Sequence, residues 1–273
     1  MLGTYFSHVR SRKPLVHNIT NYVTAGDVAN CQLACGASPI MSDEPAEAAD
    51  IAALCDGVAM NLGTLHQRAI ESMFLAGKTA AELGHVILLD PVGAGASTLR
   101  TNTAKELLDA VPFWAIRGNY SEIKTLALGF GTTRGVDADP ADEVSEETLA
   151  DAIGLAKAFS RVSGAVVAIS GAIDLVADGN KCFVIRNGHE MLSKLTGTGC
   201  MLSGLMTAFL AANPDQPLEA AAAAVSSMGL AGELARNRMQ PGDGLATYKI
   251  FLLDALSNMD AYTLDLGANY EAI

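Results

Sequence analysis

VILLDPVGAGAS, residues 86–97, decides how the chain is read. Val86 to Leu89 is an unbroken apolar run; Asp90 and Pro91 end it, and Gly93 and Gly95 precede the next helical pattern. A short apolar run closed in this way is a strand buried on both faces, and such strands belong in parallel sheets covered by helices. The same unit recurs. Strands are predicted at Leu15–Ile19, Pro39–Met41, Gly57–Asn61, Trp114–Arg117 and Ala165–Ser170, and Asp178-Gly179-Asn180-Lys181 joins Asp174–Ala177 to Cys182–Arg186 as a hairpin. Helical spacing fills the gaps at Tyr22–Cys35, Pro45–Leu54, Leu65–Leu83, Thr103–Ala110, Ser121–Leu128, Ser145–Arg161, Cys200–Ala212, Leu218–Ala235 and Tyr248–Met259. The expected fold class is α/β, with a mostly parallel central sheet, helices on both faces and an antiparallel edge hairpin. Thr132–Glu147 is the one long polar loop expected, and no linker or repeat divides the chain, so residues 1–273 are read as one domain.

Bulk composition narrows the function. Half of the 273 residues are hydrophobic, and only 18% are charged, a low share that predicts surface covered by other subunits. The net charge of −12 argues against nucleic acid, whose phosphates call for a basic face. Five cysteines (31, 35, 55, 182 and 200) include no CxxC pair and read as reduced thiols of an intracellular protein. Residues 1–13 lack the apolar segment of a signal peptide. Glu219, Ser226, Ser227, Gly229 and Glu233 interrupt the alanine-rich run 218–234, which reads as a core helix rather than a membrane span.

In open α/β sheets ligands bind beyond the carboxyl ends of the strands, and five segments put chemistry there. Asp90 precedes a glycine loop that lacks the Lys-Ser/Thr of a P-loop, so it reads as a cation ligand or a turn cap. In AIRGNYSEI (115–123), Asn119 and Glu122 suit a capping box, which leaves Arg117 unexplained; a guanidinium at a strand end suits phosphate. Ser170-Gly171 is a nucleotide contact or a tight turn, and Met41, taken alone, is an ordinary core residue. In KLTGTGCMLSGLMTAFLA (194–211), Gly197 and Gly199 lead through Cys200 into an apolar helix. Its N-terminus can receive an anion and lowers the pKa of a thiol; equally, Cys200 can be a small buried hydrophobe in a small-residue turn. An acidic pair, an arginine, two glycine loops and a helix N-terminus are the parts of phosphoryl transfer. They suggest a kinase without naming its alcohol.

The motifs PLVHNITNYV (14–23), GASPIM (36–41), MNLGTL (60–65), LDPVGAGAS (89–97), IRGNYSEI (116–123), RGVDA (134–138) and LTGTGCMLSGL (195–205) occur in this order. Together they closely resemble the hydroxyethylthiazole kinase family of thiamine salvage, over roughly residues 12–260. The resemblance implies a ribokinase-like three-layer α/β/α fold and Mg²⁺- and ATP-dependent phosphorylation of 4-methyl-5-(2-hydroxyethyl)thiazole on its primary alcohol. By motif it implies Met41 and Gly197 as thiazole-site residues, Arg117 and Ser170 as ATP contacts, and Asp90 and Glu122 as the Mg²⁺-phosphate carboxylates. Cys200 stands where other ribokinase-like kinases carry an aspartate, close to the substrate hydroxyl. A cytoplasmic homotrimer with active sites between subunits is also implied. Cys31, Cys35 and Asp243 depart from the family pattern, away from those positions. Competing readings are a hydroxymethylpyrimidine or pyridoxal kinase, a nucleotide-dependent NADHX dehydratase, and a nucleotide-binding protein with a degenerate site.

Overall fold

A computed structural model of the protein describes residues 1–129 and 144–273. Its strands are β1 (Leu15–Ile19), β2 (Ser38–Met41), β3 (Gly57–Asn61), β4 (Val86–Asp90), β5 (Ala115–Asn119), β6 (Val166–Ser170), β7 (Asp174–Ala177), β8 (Cys182–Ile185) and β9 (Tyr270–Ala272). They form one sheet in the order β2-β1-β3-β4-β5-β6-β7-β8-β9. Pairing is parallel from β2 to β6 and antiparallel from β6 to β9. The strand predictions therefore hold, and the expected antiparallel edge gains one more strand. β9 escaped notice because its three residues are exposed and carry no apolar alternation; it covers the free edge of β8.

Side chains alternate across the sheet, so each strand feeds two cores. Val16, Ala59, Leu88, Ala115 and Ala168 face one core, where α1 (Gly3–Arg12), α2 (Ala25–Cys35), α9 (Thr198–Ala212), α10 (Pro217–Arg238), α11 (Leu245–Asn258) and α12 (Ala261–Gly267) pack. Val58, Met60, Ile87, Leu89 and Ile116 face the other, under α3 (Pro45–Leu54), α4 (Gln67–Leu83), α5 (Thr98–Ala110), α6 (Tyr120–Leu128) and α7 (Leu149–Ser163). This two-sided burial is why the parallel strands read as continuous apolar runs. The alanine-rich run is α10, with Ala220 to Ala224 fully buried. Among the described residues no helix is long and apolar enough to cross a membrane.

Helix boundaries moved where capping decided them. Ser97 caps α5 by accepting from the Arg100 N–H at 3.2 Å, so that helix starts five residues before the periodicity does. Helix α1 was not expected: its buried residues are few, and Phe6 is held edge-on against Phe209 of α9 at 5.6 Å. α12 and the short α8 (Met191–Lys194) were likewise missed. Of the expected loop Thr132–Glu147, residues 132–143 lie outside the described residues, as does the RGVDA motif; the helix after it starts at Leu149 rather than Ser145.

Candidate active site

β1 lies between β2 and β3, so the chain winds to opposite sides of β1, and a crevice opens beyond the carboxyl ends of β1 and β3. Asn21 follows β1 and Asn61 ends β3. Both donate to the sulfur of Cys200, at 3.2 and 3.3 Å, so the N-terminus of α9 sits over the switch point. Deeper down, a buried Asn18–Gln32 amide pair and the Gln32 bond to the Gly204 carbonyl tie β1, α2 and α9 together. The cleft continues across the ends of β4, β5 and β6 as a cavity of about 840 Å³.

Two glycines of the loop before Cys200 are fixed by what lies on them. Gly197 has φ +91°, and a Cβ there would stand 2.5 Å from the Thr24 methyl carbon. A Cβ on Gly199 would stand 2.6 Å from a guanidinium nitrogen of Arg117. The loop is therefore wedged between the start of α2 and Arg117, and any side chain would push one of them away.

A polar chain runs along the floor. Asn21 accepts from the backbone N–H and hydroxyl of Thr24 and donates to Asn61 at 3.1 Å. Asn61 donates to Asp90 Oδ2 at 2.6 Å, and Ser203 of α9 donates to the same oxygen at 2.7 Å. Arg117 pairs with that carboxylate at 3.6 Å and donates to the Ser170 hydroxyl. Asp90 is 1% exposed, and its second oxygen, Oδ1, is buried without a partner. Burial pushes the Asp90 carboxyl up, against Arg117, Ser203 and Asn61, which favour the charged form.

Glu122 completes the capping box read from the sequence: Asn119 accepts from its N–H, and Glu122 Oε2 accepts from the Asn119 N–H at 2.8 Å. Its other oxygen accepts from the Gly93 N–H at 2.7 Å, a bond no sequence pattern announced. Burial, with Asp90 nearby, pushes Glu122 up to about 7. Asp174 at the start of β7 also lines the cleft and accepts from the Gly171 N–H; burial raises it to about 7 as well. The Cys200 thiol is raised above its ordinary value, by burial first and by Asp90 second, and is protonated at neutral pH.

Asp90, Arg117, Glu122, Ser170, Gly197 and Cys200 thus line one cleft. Met41 does not: it ends the edge strand β2, 37% exposed, on the far side of β1. Asn21, Asn61, Ser203 and Asp174 were missed. The asparagines stood in quoted motifs without a role assigned to them, and Ser203 is a single polar residue between apolar neighbours, one turn after Cys200.

Compared with known proteins, residues 6–262 match the family model described as the hydroxyethylthiazole kinase family. A hydroxyethylthiazole kinase of Clostridium acetobutylicum is 53% identical over 272 residues, covering 100% of each chain. The chain belongs to the hydroxyethylthiazole kinase family. It is accordingly a kinase, with ATP as co-substrate. A solved structure of the hydroxyethylthiazole kinase protein from Pyrococcus horikoshii OT3 superposes with a TM-score of 0.87 at 35% identity, covering 100% of this chain and 98% of that one. The pyridoxal kinase of Staphylococcus aureus in complex with pyridoxal superposes with a TM-score of 0.58 at 17% identity, covering 95% of this chain and 98% of that one. That likeness is one of fold, ribokinase-like and three-layered, and it leaves the thiazole reading ahead of the pyridoxal one.

Proposed function

We propose that this chain transfers the terminal phosphoryl group of ATP to the primary alcohol of 4-methyl-5-(2-hydroxyethyl)thiazole in thiamine salvage. The observation that carries the reading is the 53% identity, end to end, to a hydroxyethylthiazole kinase. In this reading Arg117 and Ser170 bind the polyphosphate. The first N–H groups of α9, unpaired by helix geometry, receive the phosphoryl group in transit. The hydroxyl oxygen forms its bond to phosphorus as the bond to the leaving diphosphate breaks, and its proton departs late because the transition state is loose. Gly197 leaves room for the thiazole, and Cys200 shapes the place where the alcohol lies and is at most a modest proton acceptor.

Asp90 and Glu122 are assigned to Mg²⁺. The donor set fits: Asp90 offers an unpartnered buried oxygen beside a second carboxylate in the same cleft. No group of three or more His, Cys, Asp or Glu suited to a metal occurs among the described residues, so phosphate oxygens and water would complete the shell, as suits Mg²⁺. The ion, when bound, offsets phosphate charge.

Three further assignments go with this reading. Residues 1–273 act as one kinase domain, supported by a sheet that takes strands from both ends of the chain. The enzyme is a trimer in which Met41 completes a neighbour's thiazole site, supported by exposed Tyr22, Val23, Leu33 and Ile250 on the neighbouring α2 and α11 region. Its five free thiols suit the reducing cytoplasm. The test is incubation with ATP, Mg²⁺ and, separately, the thiazole alcohol, hydroxymethylpyrimidine and NADHX, read by mass spectrometry. Thiazole monophosphate is expected; phosphate on the pyrimidine and never on the thiazole would overturn the reading.

A further inference from the structure

The cleft contains a second guanidinium to which nothing so far gives a role. Arg100 stands in the first turn of α5, half-buried, and lines the cavity. Its backbone is fixed twice over. Ser97 caps its N–H at 3.2 Å, and the next residue, Thr101, accepts from the Gly95 N–H at 2.8 Å, which ties the glycine loop to the helix. The guanidinium lies across Gly93: a Cβ on that residue would come within 2.4 Å of Nη1, and Gly93 itself has φ +75°. The loop after β4 is bent to let this side chain pass toward the cleft.

What the guanidinium touches is a single main-chain carbonyl, that of Val92, at 3.3 Å. Among the described residues it makes no ion pair, although Asp90 and Glu122 line the same cleft. Asp90 is held by Arg117, Asn61 and Ser203, and Glu122 by two backbone N–H groups. The two arginines of the cleft are therefore unlike: Arg117 is neutralised inside the protein, and Arg100 is not. In a chain of net charge −12, a cation held beside the carboxylates yet paired to none of them has its donors free for an anionic ligand.

We propose that Arg100 is a second phosphate clamp, binding oxygens of the donor's polyphosphate from the β4–α5 loop while Arg117 binds them from β5. The inference rests on the nucleotide reading above. A guanidinium fork can grip two phosphate oxygens at once, and this one is already presented, since only its bond to the Val92 carbonyl has to rearrange. The class of ligand is a nucleoside di- or triphosphate, recognised by its phosphates and not by its base.

The test is calorimetric titration of the full-length protein with MgADP, adenosine and thiazole monophosphate, in the parent and in Arg100→Met, which keeps the stem and removes the charge. We expect MgADP to bind about tenfold to a hundredfold more weakly in Arg100→Met, the effect of losing charge-assisted hydrogen bonds. Adenosine and thiazole monophosphate should bind as in the parent, and the salt dependence of MgADP binding should flatten. If Arg100→Met unfolds, Arg100→Gln takes its place, with an amide that can still donate to the Val92 carbonyl. MgADP affinity within twofold of the parent, or a loss confined to thiazole monophosphate, overturns the clamp and leaves the kinase reading standing. A parent that binds no MgADP ends both.

Discussion

On the strand side of the cleft, Arg117 holds both Asp90 and Ser170, and Glu122 is locked by backbone N–H groups of the loop after β4 and of the end of β5. On the helix side, Gly197 and Cys200 meet neutral partners, Thr24, Asn21 and Asn61, while Met41 stands apart on the edge strand. The strand side is charged, and these contacts all lie within one chain. Around Gly197 and Cys200 the helix side offers neutral partners, and Met41, which the resemblance places at the thiazole, lies outside the cleft. Phosphate recognition needs fixed charge in a dry place, which one sheet can build at its strand ends. Recognition of a small neutral ring needs shape, and a second copy of the chain can supply that.

The largest effects should come from the charged side. Asp90→Asn is expected to lower kcat by on the order of 10²–10³-fold, as for removal of one fixed electrostatic group. Glu122→Gln separates two roles. On sequence alone, glutamine would complete the same capping box and would be silent if Glu122 were only a cap. The structure removes that equivalence, because both carboxylate oxygens accept N–H bonds and an amide nitrogen can replace neither. Loss of fit alone should lower stability by about 1–3 kcal/mol; a metal role should lower kcat as well. pH distinguishes them further. The folded value of Glu122 is raised to about 7, so its stabilising contribution is complete below the unfolded value and is lost as pH rises through about 7. The parent should lose stability relative to Glu122→Gln between pH 5 and 8 in thermal melts. Mg²⁺ affinity should fall as pH drops through about 7, and a flat profile would remove Glu122 from the metal site.

How much of this was legible follows the same division. β4, β3 and β1 were read to the residue because two-sided burial leaves an unmistakable apolar run. Asp90, Arg117 and Ser170 stood at strand ends, where any ligand of an open sheet must go. Asn21 and Asn61 are 40 residues apart, and only the adjacency of β1 and β3 makes them neighbours; no local pattern encodes that. The thiol of Cys200 was readable as a residue at a helix start, but its raised pKa was not, because burial and the distance to Asp90 are tertiary facts. Met41 was read from its motif, and its exposure is the part the motif concealed.

The next effect tests the incompleteness of the helix side. Met41→Ala is expected to raise KM for the thiazole about tenfold, the value of one lost apolar contact, with KM for ATP unchanged. Light scattering should report a trimer. Mixing inactive Asp90→Asn subunits with Met41→Glu subunits should restore activity if one chain's Met41 serves another chain's cleft. A fully active monomer, or mixtures no better than their parts, would show that the cleft is complete in one chain and that the helix side needs no second copy.

The smallest effect should be that of Cys200→Ala. A general base contributes about 10²–10⁴-fold where the transition state needs one, and in a loose phosphoryl transfer the alcohol keeps its proton until late. The thiol is pushed above its ordinary value by burial and by Asp90, so almost none of it is ionised at neutral pH. Its sulfur accepts hydrogen bonds from Asn21 and Asn61, and both amides keep other partners when it is removed: Asn21 still bonds Asn61, and Asn61 still bonds Asp90. Removing the sulfur therefore leaves one N–H of each amide without its acceptor, a cost to stability, while each amide stays anchored by its other bond. Cys200→Ala should keep kcat within about tenfold of the parent, below the range of a working base, and its pH–rate profile should have the same shape. A loss of a hundredfold or more in a protein with an unchanged melting temperature, with an alkaline limb present in the parent and absent in the variant, would make Cys200 the base and give the neutral side of the cleft a titrating group after all.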